Sequence, residues 1–263
     1  MMEIIDNQSM KYFFNKISQF TWKYGIIYWV YFMKFNYSEI VLYEDNHIIV
    51  VHKPANLLSQ ADNTKDIDLV TLTKAYLKIK YNKPNNVYVG LVHRLDRMTE
   101  GVMVLAKTSK AASRLSEDIR ENKLNKKYLA LTYGVIEKSS RLTDYVRHID
   151  NTKKMEVCKP GSGQLAELSF EVLKIIKDKT LVHVDLITGR HHQIRVQFSK
   201  FGHPLVGDLL YGPNKKCDLM LCCCELTLIH PTLKTPMTFK SLPRSKKWDK
   251  IIKDQDLKNS ICL

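Results

Sequence analysis

Two short stretches of this 263-residue chain gather the residue types that acid–base or nucleophilic chemistry needs. The first is His93-Arg94-Leu95-Asp96-Arg97-Met98-Thr99-Glu100-Gly101, with five ionisable residues and a glycine between the apolar runs VYVGLV and GVMVLA. A loop held between two strands presents its side chains with little positional slack. Asp96, with arginines at 94 and 97, is expected to stay ionised, because neighbouring positive charge favours the carboxylate. The same spacing would also serve a structural ion pair or a turn hydrogen bond.

The second stretch runs from Thr188 through Gly189-Arg190-His191-His192-Gln193-Ile194-Arg195 to Phe198. It reads as a glycine turn leading into a short helix stopped at Gly202. On that helix His191, Arg195 and Ser199 share a face at spacing four, with His192 beside Arg195. Arg190 and His191 add to the positive end of the helix dipole, which suits a phosphate or an aspartate carboxylate. Adjacent histidines on a helix diverge by about 100 degrees, and neither HExxH nor HxxEH occurs. No metal site is therefore expected.

The elements that must hold these stretches read mostly as strands. EIVLYEDNHIIVVHKP forms a hairpin closed by Pro54. Segments 126–134, 165–174, 180–188 and 218–231 carry strand patterns. Leu69, Leu72, Ala75, Tyr76 and Ile79 recur at helical spacing between Asp68 and Lys80, and a second helix starts at Ser109 as N-cap. Helical connections are too few for a regular βαβ alternation. The expected architecture is α+β, a mixed, mostly antiparallel sheet with flanking helices. Residues 37–245 read as one domain and 246–263 as a solvated tail or short helix. Residues 1–36 read as an N-terminal extension, with Met33 as the natural start. The apolar stretch from Phe20 to Met33 contains Lys23 and falls short of the ~20 residues of a membrane span.

Lysine and arginine number 41 against 27 acidic residues, a net +14, which points to a polyanionic partner as well as serving solubility. Six cysteines form no CxxC pair, and three are consecutive. Alternating strand geometry would send those three to opposite faces, so they are read as buried thiols in a reducing, cytoplasmic compartment.

Five segments together carry a family resemblance. HRLDRMTEG resembles the HRLDxxTSG motif of RluA-type pseudouridine synthases, and GRHHQIRVQFSKFGHPLVGDLLYG resembles their GRTHQIRVHLxxxGHPIxGDxxYG segment. EDNHIIVVHKPANLLSQ is similar to the family's opening stretch, KKYLALTYG to its K-x-Y-x-A-L strand, and LIHPTLKTPMTFKSLP to its closing segment. They occur in family order from about Glu39 to Pro243.

The resemblance implies an RNA-modifying isomerase that breaks a C–N glycosidic bond, turns the uracil while it stays bound, and rejoins ribose to carbon. That reaction needs no cofactor and no metal. Asp96 matches the essential aspartate, Tyr128 the tyrosine against the target base, Arg195 the arginine paired with the aspartate, and Arg94 the arginine that fills the gap left by the flipped uridine. His93, Arg190, His192, Gln193 and Leu221 fall on supporting motif positions. The implied partner is ribosomal or transfer RNA, with no DNA, no membrane and a monomeric chain. With no S4-like module in view, RNA recognition is expected to rest on the basic surface of the catalytic domain. A non-catalytic RNA-binding protein on the same fold, or a hydrolase using the same aspartate, are the competing classes.

Three positions depart from the pattern: Glu100 for a small residue, His191 for threonine and Cys222 for histidine. Glu100 is expected to raise the Asp96 pKa or repel phosphate.

Overall fold

The computed structural model describes residues 36–213 and 217–252. The N-terminal extension before Asn36, the start at Met33, Cys262 and the end of the tail lie outside them. The hairpin is present as β1 (Val41–Glu44) and β2 (Ile48–Lys53), antiparallel around Asp45, whose carboxylate accepts the backbone N–H groups of His47 and Ile48. Next come α1 (Leu69–Lys80), β3 (Gly90–Leu91), β4 (Glu100–Ala106), α2 (Ser109–Arg120) and β5 (Asn125–Tyr133). They are followed by β6 (Ser140–His148), β7 (Met155–Cys158), β8 (Gln164–Ile176), β9 (Lys179–Leu186), α3 (Gln193–Lys200), β10 (Leu221–Ile229) and β11 (Pro236–Lys240). The strands form one sheet in the order β1-β2-β4-β10-β5-β9-β8-β6-β7, with β11 on β10 and β3 on β4. Among the described residues β4 and β10 are the one parallel pair, so the sheet is mixed and mostly antiparallel, with helices packed on it.

Period-two alternation sorts the central strands onto two cores. On β5, Tyr128 and Ala130 face the cluster that holds α1 and α3, whereas Leu129 and Leu131 face the cluster around Trp248. The consecutive cysteines obey the same rule, Cys223 joining the first cluster and Cys222 and Cys224 the second. Burial raises the Cys223 thiol to about 12, in keeping with inert packing. At the β4–β10 crossing Gly101 adopts φ +126°, and a Cβ there would run into the Cys223 backbone, so the close approach requires glycine.

Several local expectations shift. Thr108, not Ser109, caps α2 by accepting the Ala111 N–H at 3.1 Å. On α1, Leu77 is buried and Ile79 is exposed. VYVGLV supplies only the two residues of β3, which pair with Ala106 and Leu105. Strands β6, β7 and β11 went unforeseen: β6 is largely exposed and polar, β7 is short, and β11 opens on Pro236, tolerated because β11 pairs only with β10. No described helix is long and apolar enough to cross a membrane.

The segment after Arg244 is not a solvated tail as far as Ile252. Lys246–Trp248 forms a 3-10 turn, and Trp248 and Ile252 are buried in the second core. Their anchor is Glu100, only 1 % exposed, which accepts hydrogen bonds from the backbone N–H of Arg244 and Ser245, the Ser245 hydroxyl and the Trp248 indole. Burial works to raise its pKa, but hydrogen bonds from His52, Ser245 and Arg244 and the Lys247 charge prevail and bring it to about 2. Glu100 therefore neither faces Asp96 nor repels phosphate; it holds the C-terminal segment.

Its folded pKa lies below the ordinary 4.5, so its stabilisation is complete above pH 4.5 and is lost as pH falls toward 2. Glu100→Gln should lower the urea midpoint at neutral pH, and the difference from the native protein should shrink steadily across that acid window.

Candidate active site

The loop carrying Asp96 is pinned residue by residue. His93 Nε2 accepts the Val104 N–H at 3.1 Å, and burial lowers this imidazole to about 3, keeping it neutral and an acceptor. The Ser59 hydroxyl donates to the Leu95 carbonyl at 2.7 Å and accepts the Leu95 N–H at 3.2 Å. Buried Lys53 donates to the carbonyls of Pro54, Leu57 and Arg97 at 2.9, 2.8 and 3.2 Å. Burial brings its amine down to about 7, although Asp96 and Glu100 pull it upward. The Thr99 N–H closes a turn on the Asp96 carbonyl at 3.0 Å. Asp96 itself is a quarter exposed, its side chain directed into a pocket.

Across that pocket stands Arg195, on the first turn of α3 and almost wholly buried. Nη1 donates to Asp96 Oδ2 at 3.0 Å. Nε and Nη2 grip Asp208 through two bonds of 2.7 and 2.8 Å. Asp208 is held in turn by the N–H groups of Leu210 and Tyr211. Burial disfavours the charged form of each partner, yet mutual hydrogen bonding and attraction leave the arginine raised and Asp208 lowered. The Tyr211 ring lies 5.3 Å from the guanidinium centre, within cation–π reach.

The expected helix from Gly189 onward begins only at Gln193, because His192 is its N-cap in the left-handed region at φ 50°. His191 thus shares no helix face with Arg195 and Ser199, and the two histidines do not diverge but stack, ring centroids 3.9 Å apart. The left-handed backbone costs on the order of 1 kcal/mol and is secured by His192 Nδ1 meeting the Tyr211 hydroxyl at 2.9 Å. Its Nε2 lies 3.5 Å from Asp96 Oδ2, and burial lowers this imidazole to about 4 despite the carboxylate. The donor atoms of Asp96, His191 and His192 all lie within 4.8 Å of one another, a cluster that the helical reading of the sequence had excluded.

Arg94, Asp96, Tyr128, Arg190, His192, Gln193, Arg195 and Leu221 all line one pocket. Arg94 and Arg190 are exposed at its rim. Tyr128 lies at its floor, and burial raises its phenol well above the ordinary 10, so it remains a neutral aromatic surface. Gln193 accepts from the Arg190 N–H and the Thr188 hydroxyl and donates to the Glu167 carbonyl, which fixes the 188–193 turn. His93 contributes from behind the loop, on an adjoining groove where Arg97, Arg120, Lys126 and Lys153 supply positive charge. Arg97 pairs with Asp66 at 2.6 Å rather than with Asp96.

Reasoning from the sequence missed Asp208, Tyr211, Ser59 and Lys53. Asp208 and Tyr211 lie in the quoted GDLLYG segment, so their signal was present; Ser59 and Lys53 carried only the strand-to-turn context of the opening stretch.

A buried carboxylate–guanidinium pair facing an aromatic floor, at the centre of a mixed sheet and beside a basic groove, defines an enzyme that acts on a polyanion. The RNA pseudouridylate synthase family matches residues 47–200, and the chain belongs to this family. It is 35 % identical over 212 residues to the dual-specificity RNA pseudouridine synthase RluA of Escherichia coli O6:H1, covering 77 % of this chain and 92 % of that one. It is 36 % identical over 173 residues to the ribosomal large subunit pseudouridine synthase D of Nitrosomonas europaea, covering 65 % of this chain and 49 % of that one. The human RNA pseudouridylate synthase domain containing 4 protein shares the fold, with a TM-score of 0.67 at 24 % identity over 79 % of this chain and 90 % of that one. The protein is thus an RNA pseudouridine synthase, an isomerase acting on RNA.

Asp208→Asn leaves Arg195 charged and buried while weakening its two strongest bonds. A stability loss of about 3 kcal/mol is expected, read from urea unfolding; a loss below about 1 kcal/mol would show that the pair carries little.

Proposed function

We propose that Asp96 is the catalytic carboxylate, acting on the ribose as nucleophile or as base. The single observation that supports this most is its contact with Arg195 at 3.0 Å, at the mouth of a pocket floored by Tyr128. Arg195 fixes the rotamer of Asp96 through the Nη1 hydrogen bond to Oδ2. Tyr128 stacks on the uracil, and Arg94 enters the space that the flipped nucleotide leaves, at an unstacking cost of a few kcal/mol. The C1′–N1 bond of uridine breaks, the uracil turns within the pocket, and C5 bonds to C1′. The proton released from C5 is taken up elsewhere in the base or by solvent, so no redox step occurs.

The substrate is a structured region of ribosomal or transfer RNA, in line with the substrates named for the relatives above. The groove lined by Arg97, Arg120, Lys126 and Lys153 holds its phosphates, and the chain does not act on DNA. The chain is read as a monomer. The described cysteines are free thiols, in keeping with a reducing compartment such as the cytoplasm. His93 and Gln193 act as positioning residues, and Leu221 closes the pocket wall.

Purified protein with transcripts of ribosomal and transfer RNA should yield pseudouridine with no free uracil. Tyr128→Ala and Arg94→Ala should each cut the rate by on the order of 100-fold, and free uracil as the main product would replace this reading with a hydrolase.

A further inference from the structure

A lysine without a partner stands in the wall of the pocket. Lys126 lies two residues before Tyr128 on β5, so strand alternation turns both side chains to the same face of the sheet. Its neighbour Lys127 points to the other face and pairs with Glu225 at 3.2 Å. Among the described residues Lys126 makes no ion pair and no side-chain hydrogen bond. Burial lowers its amine. Cys223, which pulls it upward, is a thiol that burial raises to about 12 and so carries no compensating charge near neutral pH. A lysine drawn out of water is costly unless it is paired. Elsewhere the protein satisfies such a group, as three carbonyls converge on buried Lys53. Lys126 has no such set.

Its position indicates what it takes. Of Arg97, Arg120, Lys126 and Lys153, which line the groove, Lys126 alone also lines the pocket with Asp96 and Tyr128. Beside it is Gly189, where a Cβ would come to 3.2 Å from the lysine Nζ, so glycine keeps the ammonium uncrowded. The other cations of the lining are committed or peripheral: Arg195 is held by Asp208 and Asp96, and Arg94 and Arg190 are exposed at the rim. Lys126 is therefore the cation set to meet a group that enters the pocket. When C1′–N1 of uridine breaks, its electron pair stays on the uracil and the charge spreads from N1 onto the carbonyl oxygens. A donor aimed at such an oxygen, in a site with little water, counts for more than it would in solution. Turning the ring about its C6–N3 axis brings C5 to where N1 was and exchanges the two carbonyls. One donor beside a carbonyl thus serves the base before and after the turn.

We propose that Lys126 donates a hydrogen bond from its ammonium to a uracil carbonyl, O2 before the turn and O4 after it, and steadies the uracil anion between cleavage and rejoining. This rests on the reading that the target uracil enters the pocket beside Asp96. The lysine transfers no proton. The electron pair of the broken bond stays on the base until C5 bonds to C1′, and the C5 proton then leaves.

The test uses the full chain and a ribosomal or transfer RNA transcript that it converts. Lys126→Met should lower the single-turnover rate at saturating RNA by on the order of 100-fold, while the RNA dissociation constant and its salt dependence stay unchanged. Its urea midpoint should be no lower than that of the native protein, because the substitution removes an unpaired charge from a buried position. Replacing the target uridine by 2-thiouridine or 4-thiouridine, whose sulfur is a weaker acceptor, should slow the native protein about tenfold and leave the residual rate of Lys126→Met unchanged. A full saturated rate in Lys126→Met, alone or with weaker RNA binding and a salt slope reduced by about one, would overturn the proposal and assign Lys126 to the phosphates. Equal slowing of both proteins by the sulfur substitutions, with a lowered urea midpoint in Lys126→Met, would overturn it in favour of a structural lysine. Asp96→Asn assayed alongside keeps the two readings apart. If that variant made pseudouridine at the native rate, the catalytic reading of Asp96 would fail, and the thiouridine comparison would still decide Lys126.

Discussion

One guanidinium, that of Arg195, is shared between two carboxylates, and the site is organised by that sharing. Asp208 takes two of its bonds and has its own oxygens tied to the backbone N–H groups of Leu210 and Tyr211. The geometry leaves Nη1 directed at Asp96. A buried arginine facing Asp96 alone would give up its hydration for a single partly exposed partner. With Asp208 behind it, the charge is compensated before Asp96 is considered, and Arg195 meets Asp96 through a single oxygen, Oδ2.

The sheet makes this arrangement possible by bringing distant parts of the chain to one edge of the β4–β10 crossing. Asp96 precedes β4, Tyr128 lies on β5 beside β10, and Arg195 rides on α3, which packs through Ile194 and Phe198 against the same core. Four residues beyond Asp96, Glu100 faces the opposite core and ties down the C-terminal segment through Trp248. Two carboxylates in one motif thus serve opposite faces of the sheet, one open to ligand and one buried for stability. Their separation removes the conflict that their nearness in sequence suggests.

Much of the site was legible beforehand. The order of the five segments pointed to Asp96, Tyr128, Arg195 and Arg94, and the structure gathers all four around one pocket. The strands with clear alternation, β5, β8, β9 and β10, lay where their patterns put them. What escaped depended on tertiary partners. His192 caps a helix in the left-handed region because Tyr211 holds its ring, and no local preference signals that. Glu100 looked like an intruder because its ligands lie some 145 residues downstream. The exposed strand β6 lacked a buried face to mark it. Lys53 is buried because three carbonyls from different turns converge on it, a feature that composition treats as charge and the fold treats as a tie.

The most direct measurement is pseudouridine mapping of total RNA, by carbodiimide modification and primer extension, in cells carrying either the intact gene or Asp96→Ala. If Asp96 is the catalytic carboxylate, one or a few uridines in ribosomal or transfer RNA lose their modification in the variant and every other site is unchanged. An identical map in both cells, with the variant protein folded and present at normal level, would contradict the assignment of Asp96.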